Sequence, residues 1–468
     1  YAEWDVEGSI ARDVTEVEYI VPKVDIVGHQ PVTKSALGAE VSETDEDDPL
    51  KLLTSVNDDN EDGGPAGQKD NRDAIIGPTD NDIVKVTLKQ LVPSSIRDGT
   101  MELTVTGAAD VNVFNSGGAA LLADYSVDLA APSGDLAALA SGELDIYLEG
   151  LQVNADVVLK LAYKDTSGFE RASDSLHLTV LKVELKSISF VDAGAGNGGD
   201  NEHVLYENSS TVGGWGAGSA ISDPVWVSDG PDADSDPDKN APVCYTRTTT
   251  TVDSKMKLDV VLRAQPSGLK FDLVGLDGTT EYFMQNGETA SGGDQTVTVV
   301  ASQNLPSTVE KLAKTFTWKA IFTDPNPDVE CPIQATLHDV YVVYSLPITT
   351  LIRPEGGSEE NKPTQKRLDF CIVEASTQGR GVVHGTAATS IAQPLQSYIA
   401  ISIFNRAGYF QQYPTPSPIW TYVKTKKDGG TPKADCIQQS CMLAAGLGQL
   451  GIAAGGDHAY PSSDNDCT

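Results

Sequence analysis

The chain has 468 residues, 67 of them acidic against 33 basic, and a formal charge of −34. A field of that sign repels nucleic acid and anionic lipid, which excludes both as partners, and it attracts cations. No run approaches the roughly 18–20 apolar residues that span a bilayer, and 43 Gly and 25 Pro dilute the helix formers in favour of strands and turns.

The length suggests about three domains. The chain opens at Tyr1 rather than Met, which gives the expectation of a removed leader and of a secreted, cell-surface or extracellular protein. Residues 1–30 read as a strand-like arm, with Val17, Tyr19 and Val21 in alternation. A terminal strand must pair to satisfy its backbone. It either joins the first sheet of its own chain or is donated to a neighbouring copy, as in strand-addition assemblies.

Residues 31–82 form an acidic linker. Within it, Asp58, Asn60 and Asp62, followed by Gly63, match the opening of a D-x-[DN]-x-[DN]-G calcium loop. The twelfth position is Lys69 rather than Glu, so this is no EF-hand; Asp70 or Asp73 would close the cage instead. A first β-sandwich of immunoglobulin-like type is expected over 83–190, from runs such as Ile83 to Leu88, Leu144 to Leu148 and Leu176 to Val180.

A second Gly/Asp-rich linker covers 191–243 and holds Asp232, Asp234, Asp236 and Asp238 at two-residue spacing. Four carboxylates so close repel one another unless a cation such as Ca2+ gathers them. The spacing looks like the Asp-rich calcium loops of thrombospondin-type repeats; a solvated acidic linker is the plainer alternative. A second sandwich is expected over 244–345, with Leu258 to Leu262, Thr296 to Val300, Thr315 to Lys319 and Val340 to Tyr344 among its strands. The remainder, 346–468, carries helical patterns at Ile391 to Arg406 and Cys436 to Leu450 and reads as an α/β module. The six cysteines, Cys244, Cys331, Cys371, Cys436, Cys441 and Cys467, would allow up to three disulfides in an exported chain.

The segment Ala434-Asp435-Cys436-Ile437-Gln438-Gln439-Ser440-Cys441-Met442-Leu443, closing at Leu450-Gly451-Ile452, resembles the nucleophile helix of bacterial transglutaminase-like proteins. Pro242-Val243-Cys244-Tyr245-Thr246 and Ile146-Tyr147-Leu148-Glu149-Gly150 also look like phrases from large bacterial exported proteins. Those proteins join Asp-rich linkers, β-sandwiches and a terminal transglutaminase-like module. The resemblance implies a mainly β chain of tandem immunoglobulin-like sandwiches ending in a transglutaminase-like (papain-like) module. It further implies Cys436 as nucleophile, His458 as base, and Asp464 or Asp466 orienting that base. His458 is the one histidine downstream of Cys436, a short tail for that triad, and Cys436 could equally pair with Cys441 or Cys467. The resulting expectation is a calcium-stabilised structural protein that self-assembles into a filament, sheath or surface layer. A cysteine-dependent acyl transferase or hydrolase is the first alternative and an adhesive binding module the second. For the latter, no aromatic platform stands out in sequence.

Overall fold

The computed structural model describes residues 4–6, 9–11, 24–31, 50–54, 83–92, 98–116, 120–191, 205–228, 239–246, 255–306, 308–323, 329–353, 357–374, 388–399, 418–432 and 436–453. They are mainly β. The chain divides into one compact unit of Tyr1–Lys182 with Phe322–Cys331, and a second of Val183–Ile321 with Pro332–Thr468. The boundaries fall inside three strands, Glu170–Val191, Glu310–Phe322 and Val329–Val343.

In the first unit a four-stranded antiparallel sheet runs in the order Val24–Pro31, Ile83–Gln90, Glu143–Gly150, Val111–Phe114. Alternation dictates its faces, because successive side chains of a strand point to opposite sides. Val84, Val86 and Leu88 lie opposite Leu148, Ile146 and Leu144, and all six are buried. Another set of strands pairs in the order Ser126–Asp128, Thr100–Thr106, Asn154–Lys164, the first part of Glu170–Val191, and Leu50–Thr54. Leu103, Leu159, Leu161, Leu176 and Leu178 from these strands share one core with the valines and leucines of the four-stranded sheet. Two sheets therefore face each other across a common apolar layer, each fully buried aliphatic side chain stabilising it by about 1.5–3 kcal/mol.

The strand Val24–Pro31 pairs with Ile83–Gln90 of its own chain, and Ile26 N–H donates to Asp174 Oδ2 at 2.7 Å. Trp4–Val6 pairs with Ser9–Ala11 as a hairpin. The alternating residues Val17, Tyr19 and Val21 lie outside the described residues.

In the second unit the strand order is Val243–Thr246, Val329–Val343, Glu310–Phe322, Lys270–Asp277, Thr280–Thr289, Asp294–Asn304, Lys255–Gln265. Val243–Thr246 runs parallel to Val340–Val343. The core between these strands is aromatic. Phe283 stacks on Trp318 with centroids 5.7 Å apart, and Phe316 meets Phe283 edge-on at 5.0 Å. Gly275 is mid-strand for a steric reason: a Cβ there would stand 2.9 Å from the Trp318 ring. The segment read as a linker, 191–243, contributes the strands Leu205–Ser209, Gly216–Ile221 and Val225–Val227.

The helices follow: α1 (Gln365–Leu368), continued by a wider turn to Glu374, then α2 (Ala388–Tyr398), α3 (Trp420–Lys427) and α4 (Cys436–Gln449). They share a core with Leu205, Trp215, Ile221, Tyr341 and Val343. Trp215 stacks flat on Trp420 at 6.1 Å, and the Arg367 guanidinium lies 5.0 Å from the centre of the Trp420 ring. Among the described residues no helix is long and apolar enough to cross a membrane.

Candidate functional site

All nine residues expected to hold calcium, Asp58, Asn60, Asp62, Asp70, Asp73, Asp232, Asp234, Asp236 and Asp238, lie outside the described residues, as do His458 and Asp464. No cluster of three or more His, Cys, Asp or Glu able to hold a metal occurs among the described residues. The disulfide expectation needs correction. Cys244, Cys331, Cys371 and Cys441 are buried thiols, none of them in a disulfide. A hydrophobic interior satisfies them as small apolar side chains, and burial pushes the Cys244 thiol up to about 12.

Cys436 is the first residue of α4. The helix is held by its inner face: Cys441, Met442 and Ala445 are buried, and Gly446 lets Leu395 of α2 and the Cys371 sulfur come close. A glycine-terminated cap ends the helix. Ile452 N–H donates to Leu447 O at 2.9 Å and Gly451 N–H to Gly448 O at 3.1 Å, with Gly451 at φ 73°. Asn361 locks this layer from inside. Its amide donates to Ile348 O and Ala445 O, both at 3.1 Å, while its side-chain oxygen accepts from Trp420 Nε1 at 3.1 Å.

A second polar centre lies on the face of the strand Val329–Val343 opposite Thr336 and His338. Alternation puts Thr336 and His338, both buried, on one face and Leu337, Asp339 and the equally buried Tyr341 on the other. The Lys311 ammonium donates to Asp339 Oδ2 and Asp369 Oδ1, each at 3.1 Å. Tyr341 hydroxyl donates to Asp369 Oδ1 at 2.6 Å, and Gln365 Nε2 to Asp339 Oδ2 at 3.1 Å. Burial works against the Lys311 charge, but the two carboxylates outweigh it and raise the lysine pKa. Burial first, and the Asp369 carboxylate second, push the Tyr341 phenol far up, so it is a fixed donor.

Beside this centre is a pocket of about 220 Å³ lined by Trp226, Asn240, Pro242, Leu337, Asp339 and Gln365, together with Ala241 and His338. Asn240 takes a left-handed backbone, φ 51°, which asparagine tolerates better than most residues. Its N–H donates to Val225 O at 2.7 Å and its Oδ1 accepts from Val227 N–H at 3.1 Å, on either side of Trp226. These bonds and the Val225–Lys239 bridge pin together the two ends of the stretch that carries Asp232 to Asp238.

The sequence pointed to Cys436 and the acidic runs and gave no sign of this pocket. Its members come from positions 226, 240–242, 337–339 and 365, and no local motif joins them. No protein-family model matches the chain, and no curated protein does.

Proposed function

We propose that the chain is an extracellular structural protein built from tandem immunoglobulin-like sandwiches that self-assembles once calcium occupies its Asp-rich loops. The carrying observation is the pinned stem at Val225–Val227 and Lys239–Asn240. It holds together the ends of a stretch with four carboxylates at two-residue spacing. Closing such a stretch without a cation would set like charges against one another; a divalent ion removes that cost and converts the loop into a cross-brace. Neutralising part of the −34 charge also lowers the repulsion between copies. Melting temperature and sedimentation, measured in calcium and then in excess chelator, test the reading. Both should fall on chelation, and neither should respond to calcium in an Asp234→Asn/Asp236→Asn variant. Indifference of the unaltered protein to the chelator ends it.

A second reading, a transglutaminase-like acyl transferase or hydrolase, is favoured by Cys436 standing at the first position of α4, where the helix dipole favours a thiolate. Cys441 is a buried thiol, which removes one of the two disulfides that would have blocked the nucleophile. Alkylation of Cys436 at neutral pH under native conditions supports this reading, and a Cys436–Cys467 disulfide in peptide maps refutes it.

A further inference from the structure

We infer that the pocket bounded by Trp226, Asn240, Asp339 and Gln365 is a saccharide-binding subsite that accepts one neutral sugar ring. This inference needs neither a bound cation nor a reactive Cys436, although Trp226 and Asn240 also belong to the stem beneath the Asp-rich stretch.

A sugar ring asks two things of a protein. Its axial C–H face needs an aromatic or apolar wall, and its adjacent hydroxyls, each both donor and acceptor, need planar side chains that address them in pairs. Trp226 is partly exposed in the pocket wall, with Pro242 beside it and Leu337 69% exposed at the strand face. Asn240, Asp339 and Gln365 line the same pocket with one carboxylate and two amides, of which Asn240 Oδ1 is bonded to Val227 N–H and Gln365 Nε2 to Asp339 Oδ2.

Preorganisation is already in place. Asp339 spends its Oδ2 on Lys311 and Gln365, while its Oδ1 has no protein partner among the described residues. Lys311 bridges Asp339 to Asp369, so the carboxylate is held in orientation before any ligand arrives. Asn240 is fixed by its contacts to Val225 and Val227 on both sides of the tryptophan. The volume of about 220 Å³ lies below the roughly 300–1,000 Å³ of drug-sized sites, which fits a single ring and not a buried oligomer.

Charge argues for a neutral ligand. Lys311 neutralises one of the two carboxylates it touches, and the remaining negative charge together with the chain's −34 disfavours uronic or sulfated sugars. Burial holds the His338 imidazole at about 4, so it adds no positive charge near neutrality.

The test is calorimetric titration of the full chain with glucose, galactose, mannose, N-acetylglucosamine and their β-linked disaccharides, with glucuronate and tetramethylammonium as charged controls. At least one neutral sugar should bind saturably at millimolar concentration or tighter. Trp226→Ala should weaken it at least tenfold, Gln365→Ala severalfold, and Trp226→Phe, which keeps the flat wall, by no more than a few-fold. Leu121→Ser, in the other unit, should change nothing. Circular dichroism establishes that each variant is folded, and Trp226→Phe and Gln365→Ala carry the test if Trp226→Ala is not. Binding of none of the sugars, binding of a charged control alone, or sugar binding indifferent to the substitutions would overturn the inference.

Discussion

His338 Nε2 lies 2.7 Å from Thr336 Oγ1, two positions away on the same strand and on its buried face. Thr336 Oγ1 also accepts from Trp318 Nε1 at 3.0 Å and lies 3.5 Å from Phe316 O, to which it can donate. Burial lowers the His338 pKa to about 4. In the unfolded chain a histidine titrates near 6.5. The unfolded state therefore binds the extra proton first as pH drops. Stability should be unaffected by this group above about pH 6.5, fall between about 6.5 and 4, and level off below. The loss from this one residue amounts to about 3 kcal/mol. Denaturant midpoints across that interval should show a shallower acid decline in His338→Gln than in the unaltered protein.

Asn361 serves three partners in the helical layer and is only 1% exposed. Asn361→Ala strands the Trp420 indole N–H and two carbonyls, and the expected loss is about 2–5 kcal/mol. Trp420→Phe removes one of those partners. Adding it to Asn361→Ala should therefore cost less than Trp420→Phe does alone, which a double-mutant cycle of unfolding free energies would read.

Gly451 and Gly429 both have positive φ, at 73° and 82°, but different surroundings. A Cβ on Gly451 would sit 1.9 Å from Ser345 O, whereas one on Gly429 meets nothing within 4 Å. Gly429→Ala should lose about 1 kcal/mol from backbone strain alone, and Gly451→Ala clearly more. Thermal melts of the two variants side by side would separate strain from collision.

Cys244, Cys331, Cys371 and Cys441 are each at most 3% exposed. A native chain treated with iodoacetamide at pH 8 should leave all four unmodified, and all four should react after unfolding. Mass mapping of the peptides would check this.

Much of the β framework was legible in the sequence, because half-buried strands announce themselves by alternation. Ile83 to Leu88 became Ile83–Gln90, and Leu144 to Leu148 became Glu143–Gly150. The start of α4 at Cys436 was legible as well. By contrast, α3 reads Trp-Thr-Tyr-Val, residues with strand preference, and is helical because Trp420, Tyr422 and Val423 are buried in the core it shares with Trp215 and Phe370. The contact of Lys311 with Asp369 spans 58 positions, and nothing local in the chain foretells it. The alternation at Val17 to Val21 falls outside the described residues; in the strand Val24–Pro31 of the same arm, Gly28 inside and Pro31 at the end blur the pattern.

Arg353 and Glu359 form an ion pair with side chains only 9% and 16% exposed, and the other Glu359 oxygen accepts from Ile419 N–H at the start of α3. Dissolved electrolyte acts on charges it can surround, with a reach of about 8 Å at physiological ionic strength, and it spares enclosed ones. The chain carries two acidic residues for each basic one, a net charge of −34, while this attachment of α3 is enclosed. Concentrated brine should accordingly relax the outward repulsion and leave the inner attachment intact, making the folded chain sturdier in sea-like water than in fresh.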